Sequence, residues 1–212
     1  MTILFDMRKK SRRVRSRRAR KPNREKLVTE GLRVVHEYGF GASSVRDIVR
    51  AAGVPQGSFT NHFASKEAFG LEIVEHYYAM TNAGVVATLR NDALPPLARL
   101  RRWIEGQLEY LKQDEMRTGC LYGNMAAEAS EQSEAIRARI VRAFAENQES
   151  VAYCLRAAVE AGELSASTEI VEVAGLIVSS LQGAILVAKA QRSPEPIERF
   201  LRVLFSAVLR PD

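Results

Sequence analysis

The chain has 212 residues, a net charge of +6 and an apolar share of 46%, which suits a globular protein with a sizeable core or a small domain beside a larger one. No uninterrupted apolar run approaches a membrane span, and the opening Met-Thr-Ile-Leu-Phe-Asp lacks the long apolar region of a secretory signal, so a cytoplasmic protein with no membrane partner is expected. The two cysteines, Cys120 and Cys154, lie too far apart in sequence for a paired-cysteine metal motif and are too few for a disulfide framework, and no cofactor or metal is expected.

The charge is uneven. Residues 1–24 carry eleven Lys or Arg against one Asp, about +10, leaving about −4 for the other 188 residues. Residues 1–22 therefore read as a disordered basic arm without apolar periodicity, able to add phosphate contacts or enter a minor groove, or else as a solvated extension. From Asn23, expected as a cap, Leu27, Val28, Gly31, Leu32 and Val35 recur at helical spacing until Gly39. Gly31 sits on the buried stripe, where a missing side chain would let a neighbouring helix approach closely.

Residues 44 to 67 predict two short helices joined at Gly53. Ser44 and Asp47 form a capping box; Val45, Ile48, Val49 and Ala52 give one apolar face; Gly53 suits the left-handed residue after a helix, and Pro55 suits the first position of the next. In that second helix Phe59 and Phe63 point inward, leaving Gln56, Ser58, Thr60, Asn61 and His62 along the sides and outer face. Small or planar polar side chains at the start of a short helix fit a major groove, and Gln56 can address an adenine edge with two hydrogen bonds. Arg46, on the outer side of the supporting helix, can address guanine, or can remain a surface charge near Asp47. Lys66 can meet a phosphate. His62 has no second ligand at metal spacing.

The stretch from Ala51 to Ala68 resembles the recognition segment of the tetracycline-repressor (TetR) family of bacterial regulators, in its glycine, valine, polar helix, His-Phe pair and Ser-Lys-Glu. The resemblance implies base-reading roles for Arg46 and Gln56 and phosphate contacts at Ser58, His62 and Lys66. Where the family usually has tyrosine this chain has Thr60, so one aromatic contact to DNA is absent and the operator is expected to differ. With Ser44, Gly57, Thr60 and Asn61 these residues complete the expected DNA-binding set, on a head spanning residues 23–70.

A long helix from about Ser65 to Arg90 leads out of the head and is its natural mechanical link. The remainder, residues 71–212, is expected to be an all-α effector-binding and dimerisation body, giving about nine helices in total. Leu97, Leu100, Ile104, Leu108 and Leu111 form one stripe, with Trp103, Gln107 and Tyr110 beside it. Thr118 to Glu128 follows, with Asn124 and Glu128 on one helical face. Further helices are marked by Ile136 to Val159, by Val173 to Ala188 with Ser167 as cap, and by Ile197 to Val208. The last two carry more apolar surface than a monomer should expose, and small residues at Gly175, Ser179, Gly183 and Ala184 permit close crossing. A homodimer is expected, and the resemblance implies a four-helix interface and a pseudo-palindromic double-stranded DNA operator.

Cys120 lies at a glycine-flanked helix start, where unpaired amides favour a thiolate. Its Gly-Cys-Leu-x-Gly-Asn context also resembles the branch of the family responding to N-ethylmaleimide and acrylate, which implies an electrophile sensor; equally, a lone cysteine can be a small packed hydrophobe. For a reversible small-molecule effector the candidate lining is Trp103, Gln107, Tyr110, Cys120, Asn124, Glu128 and Gln182. The expected function is a DNA-binding repressor and not an enzyme. An architectural DNA-binding protein driven by the arm is the alternative, and a thiol-dependent enzyme a weaker one, since no constellation of residues supports it.

Overall fold

The computed structural model describes residues 22–129 and 133–211 and contains nine α-helices and no strand among them; the basic arm lies outside the described residues, Pro22 excepted. The head consists of α1 (Asn23–Tyr38), α2 (Val45–Ala52) and α3 (Gly57–His62), and α4 (Lys66–Ala87) leaves it. The body follows as α5 (Pro96–Lys112), α6 (Leu121–Ala129), α7 (Glu134–Glu160), α8 (Ile170–Gln191) and α9 (Glu195–Val203), the last running into a π-helical turn at Leu204–Val208.

Local chemistry fixes the corner between α2 and α3. Ser44 accepts from the Asp47 amide while the Asp47 carboxylate accepts from the Ser44 amide, a complete capping box, and Gly53 ends α2 at φ 58° and ψ 39°. Pro55 is not the first residue of α3, which starts two residues later behind Gln56; the Pro55 carbonyl instead accepts from the Ser58 amide to set the entry turn. Asn23 is not a cap either. It lies inside α1, and its side-chain amide crosses to the Ser58 hydroxyl at 3.3 Å, tying the first helix to the recognition helix.

Phe59, Phe63 and Phe69 pack at ring separations of 4.9–5.3 Å and anchor α3 and α4 on α1. Gly31 is where α1 meets them: a Cβ there would lie 2.3 Å from Phe69 Cζ and 3.2 Å from Ile48 Cγ2. Head and body share a continuous core, and Gly70 lies between Phe40 of the head and Ile136 of the body, with 2.7 Å and 3.0 Å to the nearest atoms of each from an added Cβ.

Two further expectations change in the body. Ser167 does not cap α8, which begins at Ile170; Ser167 belongs to a preceding turn in which its amide donates to the Ser165 hydroxyl. Although α8 contains no uninterrupted apolar run, it is by length and composition apolar enough to cross a membrane, with a mean hydropathy of 2.0 over eighteen residues of which only 28% are buried. Glycine, serine and glutamine interrupt the run without lowering its average much.

Candidate DNA-binding face and effector cavity

On the head, Arg46, Gln56, Gly57, Thr60, Asn61 and His62 are exposed, as is the capping residue Ser44. The Asp47 carboxylate is taken up by Ser44 and Arg50, so it stabilises the helix start and its own last turn; hydrogen bonds from Ser44 hold its carboxyl below the usual range. The Thr60 hydroxyl donates back to the Gly57 carbonyl at 3.1 Å, and His62 stands edge-on to Phe63. Two expected phosphate contacts are placed differently. Ser58 is buried and accepts from Asn23, because its position on a six-residue helix faces α1. The Lys66 ammonium donates to the Gly41 carbonyl at 3.2 Å and lies 4.8 Å above the Phe40 ring, where partial burial lowers its pKa.

In the body a cavity of about 300 Å³ opens between the far half of α4, α5 and the loop that enters α6. Of the candidate effector residues, Trp103, Gln107, Tyr110 and Cys120 line it. Tyr77 and Thr81 of α4, Thr88 just beyond its end and Ile185 of α8 line it as well; nothing local in the sequence distinguishes a residue facing a cavity from one facing a neighbour. Asn124, Glu128 and Gln182 do not line it. The Asn124 amide donates to the Thr118 carbonyl at 2.8 Å while its oxygen accepts from Lys189 at 3.1 Å, which closes the loop onto α8. Gln182 reaches the Cys120 thiol from the other side and faces a groove between α7 and α8. Glu128 points at the head: its carboxylate accepts from the Gly41 amide at 3.1 Å and sits where a Cβ on Gly39 would be 2.6 Å away. Gly39 has φ 90°, a second reason for glycine at that corner.

Cys120 is buried. Burial pushes its thiol up, and this outweighs the opposing hydrogen bonds from the Gly123 and Tyr122 amides and from Tyr77 and Gln182. The helix start thus does not make a resting thiolate, because desolvation dominates the aligned amides. Cys154 is plain core: its thiol donates to the Pro96 carbonyl, and burial pushes it up to about 11.

The cavity loop touches the head directly. Gly119, at φ 69°, presents its carbonyl to His36 Nε2 at 2.9 Å, and because a carbonyl only accepts, Nε2 carries the proton. Burial holds the His36 pKa below its ordinary value, and its ring stands edge-on to Tyr77 of the cavity wall at 5.7 Å. His36 and Lys189 hold the cavity loop to α1 and α8, contacts that sequence reasoning did not anticipate. The only signal for His36 was its place on the buried stripe of α1.

Comparison with known proteins follows the same division. Residues 27–73 match the model of bacterial regulatory proteins of the tetR family, and residues 96–204 match that of the tetracyclin repressor-like C-terminal domain. The HTH-type transcriptional repressor DhaR of Mycobacterium sp. (strain GP1) is 36% identical over 90% of this chain and 94% of its own. Transcriptional regulator AcuR of Cereibacter sphaeroides is 33% identical over 84% and 81%. Among solved structures, a regulatory protein TetR from Rhodobacter sphaeroides superposes with a TM-score of 0.82 at 32% identity over 85% of this chain and 96% of that one. The reduced form of Escherichia coli NemR superposes with a TM-score of 0.78 at 29% identity over 85% and 93%. With its capped helix-turn-helix head and its helical body matched separately and together, the chain belongs to the tetR family of bacterial regulatory proteins and is a DNA-binding transcriptional regulator, not an enzyme.

Proposed function

We propose that the chain is a homodimeric repressor, released from a pseudo-palindromic operator when a small molecule enters the cavity beside Cys120. The observation that carries this reading is the His36–Gly119 hydrogen bond, which joins the residue next to Cys120 to the first helix of the DNA-binding head. Glu128 at the far end of α6 adds a second link at Gly41, and α4 runs from the cavity wall back to the end of α3. A molecule that widens the cavity would displace all three together and change how far apart a dimer holds its two recognition helices. It can shift that equilibrium only by its difference in affinity for the two arrangements.

Dimerisation is supported by the exposed apolar side chains of the last two helices, Val171, Leu176, Leu186 and Val187 on α8 and Val203 on α9. Two recognition helices would then enter successive major grooves. Repression as the direction of control is supported by the regulators named repressors among the relatives. Modification of Cys120 is a second route to the same release, supported by its place in the cavity wall; its protonated resting state means that an electrophile must first enter the cavity and the thiol must lose its proton on reaction.

The test is anisotropy of a labelled duplex from upstream of the protein's own gene, against random duplex at fixed salt. Gln56→Ala and Arg46→Ala are each expected to weaken specific binding by about 1–3 kcal/mol while leaving random-sequence binding nearly unchanged. Equal binding to both duplexes with a steep salt dependence would instead mark an architectural protein driven by its arm. Challenge with N-ethylmaleimide, wild type beside Cys120→Ser, separates the two routes: release confined to the wild type assigns Cys120 modification.

A further inference from the structure

Gln107 lines the cavity, and its buried Nε2 has no hydrogen-bond partner; the other buried side-chain nitrogen or oxygen atoms without one among the described residues, Arg139 Nη1 and Glu146 Oε2, belong to an ion cluster elsewhere. A buried amide donor left without an acceptor is unfavourable, and in a cavity the natural remedy is a bound molecule that supplies one. Around it the wall is mostly apolar, with Trp103, Leu111 and Ile185 as its hydrocarbon surface. Among the described residues Arg102 is the sole Lys, Arg, Asp or Glu side chain in the wall, and it is exposed. A buried anion would therefore lose its hydration without gaining a buried counter-charge.

From this we propose that Gln107 is the residue that selects the effector: the cavity binds, reversibly, a small uncharged and mostly apolar molecule carrying a hydrogen-bond-accepting oxygen, which Gln107 Nε2–H engages. This rests on the reading of the cavity as the effector site and adds the chemistry of what it takes. Cys120 is not required to react, in keeping with its buried, protonated state.

The chain has a single tryptophan, Trp103, and it lines the cavity, so its indole N–H gives one nitrogen-15 cross-peak that reports occupancy. Full-length protein would be titrated with cyclopentanone, with methylenecyclopentane, which has nearly the same shape and no acceptor, and with cyclopentanecarboxylate. Saturable movement of the peak by the ketone is expected, with affinity about tenfold above that for the hydrocarbon and lost to about the same extent in Gln107→Leu and Gln107→Glu. Equal affinity for ketone and hydrocarbon in the wild type, a comparison that needs no variant, would overturn the role of Gln107. Tighter binding of the carboxylate, abolished by Arg102→Ala, would overturn the neutral-ligand assignment. If none of the three moves the peak while specific DNA binding persists, the effector reading of the cavity fails and this inference falls with it.

Discussion

His36 is held neutral by burial against the Gly119 carbonyl, with Asp114 and Lys189 the charged groups that act on it in opposite senses. Its folded pKa lies below the ordinary value of 6.5, so between the folded and unfolded values the unfolded chain binds the extra proton, and stability falls as pH drops below about 6.5. Thermal unfolding from pH 7.5 to 5 should show this loss in the wild type and a smaller loss in His36→Gln. A parallel pH dependence in the two proteins would assign the effect to other groups. At Gly31 the issue is space alone. Gly31→Ala places a methyl 2.3 Å from the buried Phe69 ring, and the overpacking should destabilise by about 1–3 kcal/mol, lowering the unfolding midpoint by roughly 2–4 °C per kcal/mol.

Among the elements, α8 shows most directly that helix formation and helix burial are separate questions. Its sequence averages a hydropathy of 2.0 yet only 28% of that window is buried within one chain, and Leu186, 66% exposed, lies on the uncovered side. Covering that face with a second copy is the reading proposed above. Leu186→Glu would place a charge in the middle of such an interface, and sedimentation equilibrium should shift from dimer to monomer at micromolar concentration with helix content unchanged. A wild type that sediments as a monomer over the same range would remove the dimer reading. The helix α4 has the opposite character. Ser65 caps its start by accepting from the Ala68 amide, and its far half forms the cavity wall through Tyr77, Met80, Thr81 and Gly84, so one rigid rod of about 33 Å spans both sites.

Across the whole molecule, head and body meet through a few polar contacts set into a shared apolar core. Glu128 to Gly41, Ser133 to Glu67 and His36 to Gly119 are among the polar ones, and Phe40 packed on Gly70 and Ile136 is apolar. Coupling between sites is a free-energy difference, typically about 1–3 kcal/mol, so loss of one polar contact can remove much of it while both sites persist. Glu128→Gln weakens the carboxylate's bond to the Gly41 amide without touching the cavity wall. It should leave operator affinity and cavity occupancy within about twofold, on the usual scale of exposed hydrogen bonds, while reducing the effector-induced change in operator affinity by several-fold. An unaltered effector response, read by anisotropy with and without cavity ligand, would place the coupling in α4 and His36 instead.

Local chemistry, and hence sequence, determined the helices of the head and the corner between them. Ser44, Asp47 and Gly53 act within a few residues of themselves, and the two phenylalanines four apart leave little choice of which side of α3 faces inward. The same locality made the family legible from Ala51 to Ala68. Which residues surround the cavity was decided by tertiary structure, because that depends on the rotation of α4, α5 and α8 about their axes, set by packing between residues far apart in the chain. Glu128 shows the difference: its helical face was readable, whereas the identity of the element opposite that face, the Gly39–Gly41 corner of the head and not the cavity, arose only when α6 was docked. For Cys120 the sequence showed the amides at a helix start, and the fold supplied the burial that outweighs them; local hydrogen bonds are written in neighbouring residues, but desolvation is a property of everything packed around the group.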